Sequence, residues 1–236
     1  MLKNDVINIK VIEKVAKALE ELNNQVVYIG GALVSFYITD TGAEQPRPTK
    51  DIDISVQIST YYEMDQFREQ LATKGIFPAS DQPIINRFEF EDVTIDFIPF
   101  EDTPLGPTNK WIKPGFEFAQ EVKALGQVIK ILPVGYFLAT KFEAFKARGK
   151  NDPFSSHDFE DIIYVLDNHI EVVEHIKNSD LLLIHFMIEM ATYILNHPSR
   201  IDIISGNINP FTRDERTLMV IDKLEQIKTI VVLYPQ

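Results

Sequence analysis

The chain has 236 residues, 45% of them hydrophobic and 11% aromatic, enough to bury a core in one large domain or two small ones. Its 35 acidic against 23 basic residues leave a net charge of −12, a handicap for docking on a nucleic-acid backbone unless a basic patch or a bound cation intervenes. The absence of cysteine excludes disulfide frameworks, thiolate zinc sites and cysteine nucleophiles.

The start, "MLKNDVINIK", lacks the long apolar core of a secretory signal. Residues 6–22 carry apolar side chains at helical spacing. "QVVYI" (25–29) is short and β-branched and reads as a strand, Gly30 and Gly31 as a tight turn, and "ALVSFYI" as a helix. Residues 39–49 form a polar loop. "DIDISVQI" (51–58) alternates strictly, with Ile52, Ile54, Val56 and Ile58 on one face and Asp51, Asp53, Ser55 and Gln57 on the other. A helix closed by Gly75 follows, then "INRFEF" and "VTIDFIPF" as strands paired about a Glu91-Asp92 turn. Residues 101–132, with Pro104, Pro107 and Pro114, read as irregular with short strands near 116–131. Beyond Pro133 the pattern is helical: 134–149, a helix capped by Ser155 or Ser156, then 170–177, 180–196 and 210–228. The greasiest stretch, "LLLIHFMIEMATYIL" (181–195), is short and carries His185 and Glu189, so it reads as a buried helix. The expectation is a cytoplasmic protein with no membrane partner. Its fold class should be α+β, a mixed β-sheet flanked by helices in residues 1–132, with an α-helical C-terminal domain in 133–236 closing a cleft.

Alternate residues of a strand point the same way, so Asp51 and Asp53 repel each other unless solvent, a basic partner or a cation compensates. Oxygen-only ligands at this spacing suit Mg²⁺ or Mn²⁺. Asp96, set between Ile95 and Phe97, offers a third carboxylate on a strand that could lie beside the first two. Gly30 and Gly31, between a strand and a helix start, would bring free backbone N–H groups to one point, a place for a phosphate tail.

"IGGALVSFYI", "TKDIDISV" and "VTIDFIP" in this order resemble the nucleotidyltransferase superfamily related to DNA polymerase beta. The likeness is closest to the AbiEii-type nucleotidyltransferases, which include toxins of type IV toxin–antitoxin systems. Their downstream pattern, a helix with a Lys, then an Arg, then an Asp-rich helix start, is matched by "LATKFEAFKARGKNDPFSSHDFEDIIYVLD". The resemblance covers roughly residues 20–168; the loop between Gly31 and Asp51, with Pro46 and Pro48, is longer than in minimal members. It implies transfer of a nucleoside monophosphate from a nucleoside triphosphate to a hydroxyl acceptor. Asp51, Asp53 and Asp96 would hold Mg²⁺ or Mn²⁺. Gly30, Gly31, Lys141, Arg148, Asp158 and Asp161 would make up the nucleotide-binding set. An antitoxin protein is an implied partner. The acceptor, RNA or a small molecule, stays open, and the net charge leans toward a cationic small molecule.

Plainer readings stand beside these. Asp51 and Asp53 could decorate a solvated strand face, and Asp96 could cap a loop or pair with a Lys or Arg. Lys141 could snorkel to water; Asp158 could complete a capping box with Ser155, and Asp161 could pair with Lys141 or Arg148. The five histidines lack metal-ligand spacing. RNA binding would draw on Lys141, Lys146, Arg148 and Lys150, although 146–150 alone is too short for a nucleic-acid patch. The alternative function is a catalytically silent member of the same fold that binds nucleotide or a partner protein.

Overall fold

A computed structural model describes residues 4–49, 51–79, 85–148 and 152–231; Gly149 and Lys150 lie outside them. The protein is α+β, with a mixed seven-stranded sheet flanked by helices and a helical C-terminal region. It divides into two compact units, residues 1–36 with 45–133 and residues 37–44 with 134–236.

The first unit holds the sheet. Its strands are β1 (Val26–Ile29), β2 (Asp51–Val56), β3 (Phe77–Pro78), β4 (Arg87–Phe90), β5 (Val93–Pro99), β6 (Gln120–Ala124) and β7 (Gln127–Ile131). They lie in the order β3-β4-β5-β2-β1-β7-β6. The β2–β5 and β1–β7 pairs are parallel and the others antiparallel. β1 is buried along its whole length, as a central, wholly apolar strand should be. In β2 and β5 the alternation sets Ile52, Ile54, Ile95 and Phe97 into the core.

Helix α1 (Asn4–Leu19) buries Ile12, Val15, Ala16 and Leu19 at helical spacing. Helix α2 (Tyr61–Thr73) opens on a capping box, the Thr60 hydroxyl accepting from Glu63 N–H and the Glu63 carboxylate accepting from Thr60 N–H. It ends before Gly75, whose φ is +75°. Phe67 of α2 meets Phe97 edge-on at 5.0 Å, and Phe88 meets Phe97 at 5.3 Å, which pins this helix to the sheet.

In this part of the chain three segments depart from expectation. "GALVSFY" is a 3₁₀ turn, Gly31–Tyr37, not an α-helix. A short helix α3 (Ile112–Glu117) occupies part of the region read as irregular, with Pro114 inside its first turn, where a missing N–H costs nothing. Residues 37–44, read as the end of a helix and the start of the polar loop 39–49, belong to the helical unit. There the N–H groups of Thr39 and Asp40 both donate to the Asn168 carbonyl, at 3.1 and 3.0 Å. Arg216 bridges Asp40 and Asp167 at 2.9 and 2.7 Å.

The helical unit contains α4 (Val134–Arg148), α5 (His157–Asn168), α6 (Val172–Lys177), α7 (Leu181–Asn196), α8 (Arg200–Ser205) and α9 (Arg213–Lys228). Of these α8 was not anticipated. Phe142 and Phe145 of α4 pack against Tyr193, Phe186 and Phe159 in tilted and edge-on contacts to form the aromatic core. The α7 N-cap is Asp180, accepting from the N–H groups of Leu182 and Leu183. His185 and Glu189 lie on the exposed stripe of this otherwise buried helix. No helix of the described residues is long and apolar enough to cross a membrane.

Candidate functional site

β2 and β5 run parallel in a register that sets Asp53 directly beside Asp96 and Asp51 beside Thr94. Alternation keeps all three aspartates on one face. Asp51, Asp53 and Asp96 each offer an oxygen that lies within 4.8 Å of the other two, Asp51 exposed and the others half-buried. This is the cluster of potential metal ligands found among the described residues. Hard carboxylate oxygens at such separations fit Mg²⁺ or Mn²⁺.

The glycine turn belongs to the same place. Ile29, the last residue of β1, pairs with Asp53. Gly30 follows with φ +81°, and a Cβ added to it would lie 2.0 Å from Asp53 Oδ2 and 2.8 Å from its Cγ. Only a residue without a side chain lets the Asp53 carboxylate lie against the backbone here. Gly31, half-buried, opens the 3₁₀ turn. On the same face of β2 the exposure falls from Asp51 through Asp53 to Ser55, which is fully buried, so the carboxylates sit at the open edge of a closed surface.

One residue of this site escaped the sequence reading. Arg87 of β4 stands opposite Asp96 in the antiparallel register. Its Nε and Nη2 donate to Asp96 Oδ1 and Oδ2 at 2.8 and 2.7 Å, a bidentate pair. These bonds, together with the charges of Asp51 and Asp53, raise the guanidinium above its ordinary pKa against the opposing effect of burial. Of the plainer expectations for Asp96, pairing with a basic residue therefore holds, and the partner stands beside the trio. The signal was available: a two-residue turn at Glu91-Asp92 pairs Phe90 with Val93, and counting back places Arg87 across from Asp96.

The four downstream residues singled out in the sequence come together within the helical unit. Lys141 of α4 is 4% exposed, its ammonium 2.7 Å from Asp161 Oδ2 and 3.3 Å from Asp158 Oδ1. Arg148 Nε donates to Asp158 Oδ2 at 2.9 Å and its Nη2 to Oδ1 at 3.1 Å. Burial opposes ionisation of Asp158, but the Arg148 hydrogen bonds and the Lys141 charge outweigh it, and its carboxyl titrates below the ordinary value.

This geometry corrects two readings. Asp158 completes no capping box, because the cap is Ser156, which accepts from Phe159 N–H. Lys141 does not snorkel and offers no surface to RNA; buried carboxylates hold it. Lys146 is paired with Glu189 and Glu143 and lies over the Phe142 and Phe186 rings. Its surroundings are therefore not a basic patch.

No protein-family model and no curated protein matches the chain. Among solved structures it is similar to the crystal structure of JHP933 from Helicobacter pylori, at 12% identity and a TM-score of 0.42, over 97% of this chain and 94% of that one. A likeness this distant bears on neither activity nor site.

Proposed function

We propose that the protein is a metal-dependent nucleotidyltransferase, transferring a nucleoside monophosphate from a triphosphate to a hydroxyl acceptor. The observation that carries this reading is the meeting of Asp51, Asp53 and Asp96 on two adjacent strands, an oxygen of each within 4.8 Å of the others, with Asp53 seated against the backbone turn at Gly30. Asp51, Asp53 and Asp96 would hold Mg²⁺ or Mn²⁺. When bound, such ions neutralise charge on the phosphates and lower the pKa of an acceptor hydroxyl. Asp96 helps take the acceptor's proton as its oxygen attacks the α-phosphorus. The bond to the bridging oxygen breaks and pyrophosphate leaves. The backbone N–H groups of Gly30 and Gly31 are ascribed to the phosphate tail on the sequence pattern; the space that the missing Gly30 side chain leaves is taken by the Asp53 carboxylate. Lys141 and Arg148, with Asp158 and Asp161, are ascribed to the nucleotide-binding set on the sequence resemblance alone.

The catalytically silent alternative is favoured by one observation: Arg87 already donates to both oxygens of Asp96, a charge compensation built into the chain. The test is incubation with each α-labelled nucleoside triphosphate, Mg²⁺ or Mn²⁺, and either total RNA or a small-molecule fraction. Label should pass to an acceptor and EDTA should stop it. Triphosphate binding without transfer to any fraction would favour the silent reading. With a net charge of −12 the expected acceptor is cationic and small rather than RNA.

A further inference from the structure

We infer that Arg87 is the positioning residue of the carboxylate trio, holding Asp96 in its ligand orientation rather than merely balancing its charge; this rests on the metal reading above. The guanidinium fork is rigid and planar, so a bidentate pair fixes both the place and the plane of the carboxylate it grips. Here the fork comes from the neighbouring strand, directly across the ladder from Asp96, and both bonds are short, 2.8 and 2.7 Å. The side chains are 24% and 18% exposed, so water competes less for this pair than for the surface pairs of the same unit.

A carboxylate has about four lone-pair sites, and the fork uses one on each oxygen. Asp96 therefore keeps acceptor capacity for an ion while its rotation is arrested. Partners that orient metal ligands in this way typically matter about 10–100-fold in metal affinity. A cation beside a cation site also repels the incoming ion. The inference is that orientation outweighs that repulsion, and the two effects predict opposite signs.

The experiment is titration of Mn²⁺, followed by electron paramagnetic resonance, into wild type, Arg87→Gln and Arg87→Lys, at a temperature where all three are folded by circular dichroism. Arg87→Gln should weaken Mn²⁺ binding by about tenfold or more. Arg87→Lys should fail to restore it, because an ammonium keeps the charge but cannot grip both oxygens. Equal or tighter binding by Arg87→Gln would overturn the inference, as would wild-type binding by Arg87→Lys. If Arg87→Gln does not fold, the wild-type Arg87 Nε–Hε resonance decides. Its protection should persist at saturating Mg²⁺, and loss of that protection would overturn the inference. Wild type that binds no Mn²⁺ would overturn the metal reading itself, an outcome distinct from each of these.

Discussion

Gly30 is the residue on which the trio's geometry turns. Two demands meet there: a φ of +81°, which costs a residue with a side chain about 1–2 kcal/mol, and the Asp53 carboxylate lying where a Cβ would be. Gly75 makes the first demand without the second, since its φ is +75° and the nearest atom to an added Cβ is Phe90 Cε2 at 4.0 Å. The pair forms a control. Gly30→Ala and Gly75→Ala should each lower the melting temperature by roughly 2–8 °C. Only Gly30→Ala should also weaken Mn²⁺ binding, because it pushes Asp53 out of place. Equal Mn²⁺ affinity in the two variants would show that the glycine is a turn and nothing more. Sequence could reveal a glycine turn near the aspartates, because glycine is informative wherever backbone is crowded. It could not reveal that the crowding atom is Asp53, since that depends on the antiparallel register of β1 and β2.

At the scale of elements, the hydrophobic periodicity of 51–58 and 93–99 was enough to place β2 and β5 and to set the aspartates on one face. The short elements were harder. Seven residues are too few to tell the period of a 3₁₀ helix from that of an α-helix, and Pro114 reads as a breaker until it falls in a helix's first turn. The α4–α5 cluster was half legible: the residues were found, but the burial of Lys141 depends on the packing of both helices. That cluster predicts a pH dependence. Asp158 has a depressed carboxyl pKa in the folded state, so its ionised form stabilises the fold above the ordinary carboxylate range and loses that contribution as pH falls through the depressed value. Urea unfolding of wild type and Asp158→Asn should differ most above about pH 5 and converge as pH drops below about 4. A gap that widens on acidification would contradict the arrangement.

The molecule as a whole carries a net charge of −12 and gathers three of its carboxylates onto one face of two adjacent strands. Like charges in a half-buried setting repel, and Arg87 offsets part of that repulsion through its bonds to Asp96. On the proposed function, a bound cation is what compensates their meeting. The measurement that tests this most directly is nucleotide transfer set beside melting temperature for wild type, Asp53→Asn, Asp96→Asn and the double variant, in an assay where wild type is active. The account predicts that the single variants still fold, and that transfer falls by orders of magnitude, since each ~1.4 kcal/mol of lost transition-state stabilisation is tenfold in rate. The double variant should be scarcely worse than either single one, because residues serving one centre act as a unit. Single variants that keep full transfer activity would contradict it.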